Sequence, residues 1–136
     1  MTARWFWFDT SPNTRCITFE EFCDLPIAAQ AVLTVAAERL LDNQSRGNSV
    51  KRIDEDLYEL RCRHLNNQYR IIFIRWGPHY VGLVAFMKNQ QKLPTRYTGR
   101  ARKRMKAWRL GHGATPAAEL PSRSPTMGRT LDKEFP

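Results

Sequence analysis

Apolar positions change their spacing along this chain, and the changes divide it into elements. Trp5-Phe6-Trp7-Phe8 is a short aromatic run of strand character, followed by the turn residues Ser11-Pro12-Asn13. Thr18-Phe19-Glu20-Glu21 has the form of a capping box, in which the Thr18 hydroxyl and the Glu21 carboxylate satisfy reciprocal backbone donors at a helix start. Pro26 either opens a second helix or bends a longer one. From Ala28 to Leu41 the pattern is helical, with Val32, Val35, Ala36 and Leu40 on one stripe, and Asp42 to Asn48 reads as the loop that ends it.

The period then drops to two. Tyr58, Leu60 and Cys62 alternate with Glu59, Arg61 and Arg63, as a half-buried strand requires. Tyr69–Trp76 and Tyr80–Met87 are two further strands, and short connections at Leu65-Asn66-Asn67 and Gly77-Pro78-His79 predict an antiparallel meander. A last helix begins near Pro94 or Thr95. Tyr97, Ala101, Met105 and Trp108 form its apolar stripe, with Arg100, Arg102, Lys103, Arg104 and Lys106 around the other faces. Beyond it, Gly111, Gly113, Pro116, Pro121, Pro125 and Gly128 interrupt a segment of low apolar content. The expectation is one α+β domain over 1–110, with N-terminal helices packed on an antiparallel sheet of about four strands and a basic C-terminal helix. A disordered tail is expected over 111–136.

Composition narrows the function classes. At 136 residues, 42% hydrophobic and 26% charged, the chain has the size of one small soluble domain, which excludes a multidomain enzyme and an acidic disordered protein. The formal net charge is +9. That charge is concentrated: between Leu60 and Ala118 there are 13 Lys/Arg and no Asp or Glu. A segment with no internal counter-charge attracts polyanions, so a nucleic-acid partner is expected.

Cys16, Cys23 and Cys62 form no CxxC pair, and their odd number argues against a disulfide framework, so a reduced cytoplasmic setting and core packing of the thiols are expected. No apolar run reaches membrane-spanning length, and the aromatic N-terminus is too short for a signal peptide. His64, His79 and His112 lack metal-ligand spacing, and phosphate-loop and nucleophile-elbow motifs are absent, so neither a metal nor a cofactor is expected.

The remaining candidate chemistry is cationic. Glu59 and Arg61 share a strand face, Tyr69-Arg70 opens the next strand, and Phe86-Met87-Lys88-Asn89-Gln90-Gln91-Lys92-Leu93-Pro94 leaves the third. In a meander these ends can converge on one sheet surface. Glu59 and Arg61 also have a purely structural reading as an ion pair, and His64 reads either as an ordinary histidine or as a proton-transfer group.

These residues carry a resemblance. Leu57-Tyr58-Glu59-Leu60-Arg61, then Tyr69-Arg70-Ile71-Ile72-Phe73, then Val84 through Pro94, resemble the HigB branch of the RelE/ParE toxin superfamily, in its phage-derived, mycobacterial-like form. The resemblance covers roughly Trp5 to Leu110 and implies a toxin of a type II toxin–antitoxin system. Its implied activity is a ribosome-dependent, metal-independent endoribonuclease (an mRNA interferase) that uses the substrate's 2′-hydroxyl as nucleophile. The partners it implies are the ribosome and mRNA, an antitoxin with a helix-turn-helix DNA-binding domain and, in some relatives, a SecB-like chaperone.

By position, Arg61 and Arg70 would hold the scissile phosphate, with Lys88 and Lys92 assisting or supplying a general acid. His64 or Tyr69 would stack on a base or move a proton. Arg63, Arg75, Arg100, Lys103 and Arg104 would extend the RNA-binding surface, and Glu59, Phe86 and Pro94 would be structural. The chain departs from many relatives in having Lys88-Asn89 where they carry consecutive lysines, and Tyr97 falls on an apolar stripe rather than standing as a catalytic tyrosine. Two other functions fit the same scaffold: a non-catalytic basic nucleic-acid binder and a ParE-like gyrase inhibitor.

Overall fold

In a computed structural model that describes residues 3–9, 16–89 and 93–121, five strands form one mixed sheet with helices on both faces. In chain order the elements are β1 (Trp5–Trp7), α1 (Ile17–Cys23), α2 (Ile27–Leu41), β2 (Val50–Arg52), β3 (Tyr58–His64), β4 (Asn67–Trp76), β5 (His79–Lys88) and α3 (Thr95–His112). The spatial order is β1-β5-β4-β3-β2. Strands β2 to β5 make the antiparallel meander expected from the short connections. Strand β1 lies parallel to β5 at the far edge. The count is therefore five and the sheet mixed, rather than four and antiparallel. Val50-Lys51-Arg52 is too short to show a period, and nothing in the residues of β1 records its direction.

The pleat separates two cores. Leu60, Tyr69, Ile71 and Phe73 face α1 and α2 and pack with Trp5, Trp7, Phe22, Ala29, Leu33 and Ala37. Leu57, Ile72, Ile74, Trp76, Val84 and Phe86 face the other way, onto Ala101, Met105 and Trp108 of α3. On α2 the buried stripe is Ala29, Leu33, Ala36 and Ala37, while Val35 is exposed. The expected stripe is thus rotated, because alanines at helical spacing let the backbone approach the sheet and fix which side is inward. Gly82 is equally constrained: a Cβ there would lie 2.9 Å from the rings of Trp5 and Trp7.

The capping box does not form. Helix α1 is capped by Cys16 without a side-chain bond, and Thr18 and Glu21 turn to β5 instead. A bulge opposite Ile72/Phe73 leaves Leu83 as the extra residue of that strand. The Thr18 hydroxyl donates to the Leu83 carbonyl (2.6 Å), and the Ala85 N–H donates to Glu21 Oε1 (3.1 Å). Helix-start donors on the surface can bond to water, whereas polar groups freed by a buried bulge need a protein partner.

Helix α3 runs past the expected end at Trp108. The His112 ring stacks on Trp108 with centroids 3.9 Å apart, and its Nε2 lies 3.0 Å from Asp9 Oδ1. The Trp76 indole donates to the Gly113 carbonyl (3.0 Å), Pro116 sits over Gly77 at a φ of +61°, and Leu120 packs on the second core. Helix α3 thus continues to His112, past the expected boundary at 110, and Gly113, Pro116 and Leu120 touch the domain; the rest of the expected tail, 122–136, is outside the described residues, as are Ser11-Pro12-Asn13. Among the described residues no helix is long and apolar enough to cross a membrane.

Candidate active site

Helix α3 packs mainly on β5 and β4, and among the described residues no helix packs comparably over β3 and β2 on that face. Register assembles the side chains of that face in rows. Lys51 of β2 is opposite Glu59 of β3; Arg61 of β3 is opposite Arg70 of β4, which is opposite Phe86 of β5; Arg63 is opposite Gln68, which is opposite Lys88. Directly paired residues share a face with Cβ atoms about 5 Å apart, so a meander of basic strands must bring these cations together.

Glu59 is the pivot. Its buried carboxylate lies 3.6 Å from Arg61 Nε and 3.5 Å from Arg70 Nε. Arg70 is buried as well, and donates to the Tyr69 carbonyl (3.0 Å), to the Cys62 carbonyl (3.4 Å) and to Gln68 Oε1. These bonds fix the plane of its guanidinium, while Arg61 stays partly exposed at the surface of the cluster. Burial, with Arg61 adding and Glu59 opposing, lowers the Arg70 pKa, yet a guanidinium remains charged. Burial also lowers the Lys88 ammonium, Glu59 opposes, and Arg70, Arg61 and Lys51 push it further down. An ammonium weakened in this way gives up its proton more readily than an ordinary lysine.

The candidate residues from the sequence divide accordingly. Arg61, Arg70, Lys88 and Glu59 converge, and Arg63 is exposed on the same face beside them. Lys92 lies outside the described residues. Tyr69 is buried in the core under α2, and His64 shares the parity of Tyr58, Leu60 and Cys62, so the pleat puts both on the face away from the cations. Neither can stack on a base held by Arg61 and Arg70. Arg75 is also on that opposite side, its guanidinium 5.0 Å from the Tyr58 ring centroid.

Arg104 is not a free cation. It bonds Glu21 through two nitrogens (3.0 and 2.8 Å) and the Leu83 carbonyl (2.7 Å), so it fastens α3 to α1 and to the bulge. Arg102 and Arg109 pair with Asp54 and Asp56 of the β2–β3 loop. Arg100 is 3.9 Å from Glu21 and largely exposed, and Lys103 is exposed. Pro94 precedes the first turn of α3, and Phe86 is stacked under Tyr97 with centroids 3.8 Å apart. Two residues of the cluster escaped the sequence reading. Gln68 precedes the expected start of its strand, and Lys51 stands on a strand of three residues; only the register places them.

This basic α+β fold, with guanidinium and ammonium groups gathered around a buried carboxylate, agrees with the RelE-like toxin fold that the resemblance implies. Residues 20–106 match the family of phage-derived Gp49-like proteins. Two relatives, each described as a probable endoribonuclease HigB1, come from Mycobacterium tuberculosis strains CDC 1551/Oshkosh and ATCC 25618/H37Rv. Each is 41% identical over 112 residues, which is 82% of this chain and 90% of the relative. The chain belongs to the Gp49-like family and is a HigB-type toxin within it.

Proposed function

We propose that the protein is the toxin of a type II toxin–antitoxin pair, an endoribonuclease that cuts mRNA during translation on the ribosome and needs no metal. The observation that carries the reading is the convergence of Arg61, Arg70 and Lys88 around Glu59, on the sheet face that also packs against α3. In such a reaction the 2′-hydroxyl loses its proton to water and its oxygen bonds to the neighbouring phosphorus while the bond to the 5′-oxygen breaks, and negative charge builds on the phosphoryl oxygens. Arg61, partly exposed, meets that charge, and Arg70, buried and fixed in advance by its carbonyl and carboxylate partners, adds its positive charge from beneath. Lys88 protonates the departing 5′-oxygen, a role supported by its lowered pKa. Glu59 sets the spacing of the two guanidiniums. Lys92 is the second candidate donor, and Arg63, Arg100 and Lys103 are the exposed cations available to RNA.

On this reading the protein works in the cytoplasm, is neutralised by an antitoxin with a helix-turn-helix domain, and in some settings is served by a SecB-like chaperone. The test is induction in a bacterial host without antitoxin, with new RNA 5′ ends mapped across the transcriptome. Cuts within translated frames that disappear in Arg61→Ala and in Arg70→Lys support the proposal. Growth arrest with intact mRNA and induced DNA damage overturns it in favour of gyrase inhibition.

A further inference from the structure

Whatever lies over Arg61 and Arg70 has few ways to leave. On the β5 and β4 side the same face is closed by α3, with Tyr97 stacked on Phe86 and with Met105 and Ala101 packed beyond it. Along the strands toward Trp76 the face is again filled by α3 and the second core. Ion pairs from Arg102 to Asp54 and from Arg109 to Asp56 hold α3 against the loop that ends β2, closing that corner with acidic groups. Among the described residues one open direction runs across the strands, from β4 over β3 and off the sheet edge at β2, and another runs along the strands past exposed Arg63 to the β3–β4 turn.

Lys51 stands on the first of these paths. It is the cross-strand partner of Glu59, so its side chain projects from the same face as Arg61 and Arg70. It is exposed and makes no ion pair among the described residues. At about 4.8 Å between neighbouring strands, β2 lies roughly 10 Å from β4, which carries Arg70. From that offset the Lys51 ammonium can meet the phosphate next along a strand from the one at Arg61. Its neighbour Arg52 is on the opposite face, paired with Tyr58, and donates to the carbonyls of Asp54 and Glu55. One edge strand therefore carries two cations, one aimed along the exit path and one committed to the loop.

We infer that single-stranded RNA crosses the sheet at right angles to the strands and leaves over β2, with Lys51 as a positioning residue that binds the phosphate next to the one held by Arg61 and Arg70. This rests on the nuclease reading of the same cluster. Lys51 touches no reacting atom in this arrangement, so it acts on substrate binding and leaves the chemical step alone.

The experiment is a salt titration of binding between the full-length protein and a short single-stranded RNA made uncleavable by 2′-O-methylation. Each phosphate contact to a single strand contributes about −0.7 to the slope of log K against log salt. Lys51→Ala is expected to make the slope shallower by about 0.7, while Arg52→Gln, an equal change of charge on the same strand, leaves it at the wild-type value. With a dinucleotide, which offers one phosphate, Lys51→Ala binds as wild type does. In cleavage of longer RNA it raises KM and preserves kcat. A slope for Lys51→Ala equal to that of wild type, or a loss of the same size in Arg52→Gln, overturns the inference. If wild-type binding is unchanged by Arg61→Ala, the site reading beneath it fails instead, which keeps the two failures distinct.

Discussion

Replacing Glu59 by Gln removes one charge from the centre of the cluster with almost no change of shape. The side chain is 4% exposed and lies 3.5 Å from Arg70 Nε, itself 3% exposed, and 3.6 Å from Arg61 Nε, which is 31% exposed. Arg70 cannot swing into water, so the amide leaves a buried guanidinium without its counter-ion. Breaking such a pair costs about 3–5 kcal/mol, whereas the more exposed Arg61 contact adds less than about 1 kcal/mol. The expected loss is about 3 to 4 kcal/mol, which for a domain of this size lowers Tm by roughly 10 °C. Thermal and urea unfolding followed by circular dichroism measure it, and an unchanged urea m-value shows that two-state unfolding is preserved. The double variant Glu59→Leu with Arg70→Met should recover most of the stability, since removing both charges also removes the desolvation penalty. A single-variant loss below about 1 kcal/mol, or no recovery in the double variant, would refute the claim that Glu59 holds Arg70 in place.

Three further outcomes follow from the same structure. Arg104→Ala should cost about 2–3 kcal/mol, because it strips partners from Glu21 and from the Leu83 carbonyl, while Arg102→Ala, losing an exposed pair with Asp54, should cost under about 1 kcal/mol; equal losses in urea unfolding would contradict this. Lys88 has a folded pKa below its unfolded value of 10.5, so the unfolded chain binds more protons between the two; its contribution to stability rises with pH across that window. As a proton donor it acts only when charged, so single-turnover cleavage should fall as pH rises through the lowered value, and Lys88→Arg should abolish that limb of the profile. Leu65, at φ +55° on an exposed hairpin tip, should be improved by Leu65→Gly by about 1 kcal/mol, read as a higher Tm.

The meander was legible because alternation and short turns are local properties: Tyr58 to Arg63 and the strands after it lie where their patterns put them. The same holds for the shared face of Glu59 and Arg61, which follows from a period of two. Other features depend on contacts remote in sequence. Thr18 and Glu21 have the local signature of a capping box, and what redirects them is a bulge at Leu83, some sixty residues away, that no local pattern records. Tyr69 adjoins Arg70 in the chain, and adjacency in a strand puts the two on opposite faces.

The uneven basic segment makes the same point about charge. Between Leu60 and Ala118 the sequence offers no carboxylate, which reads as one continuous cationic surface. In the fold, the carboxylates come from earlier in the chain and select among the cations: Glu21 takes Arg104, Asp54 takes Arg102, Asp56 takes Arg109, and Glu59 takes Arg61 and Arg70. The first three pairs fasten α3 on two sides, to α1 through Arg104 and to the β2–β3 loop through Arg102 and Arg109, and convert basic residues into structure. At Glu59 one carboxylate faces two guanidiniums with Lys88 and Lys51 nearby, so the local balance stays positive. On the proposed reading a polyanion is drawn to this site by the residual charge that the fold localises there, and the net +9 of the whole chain is a poor guide to that place.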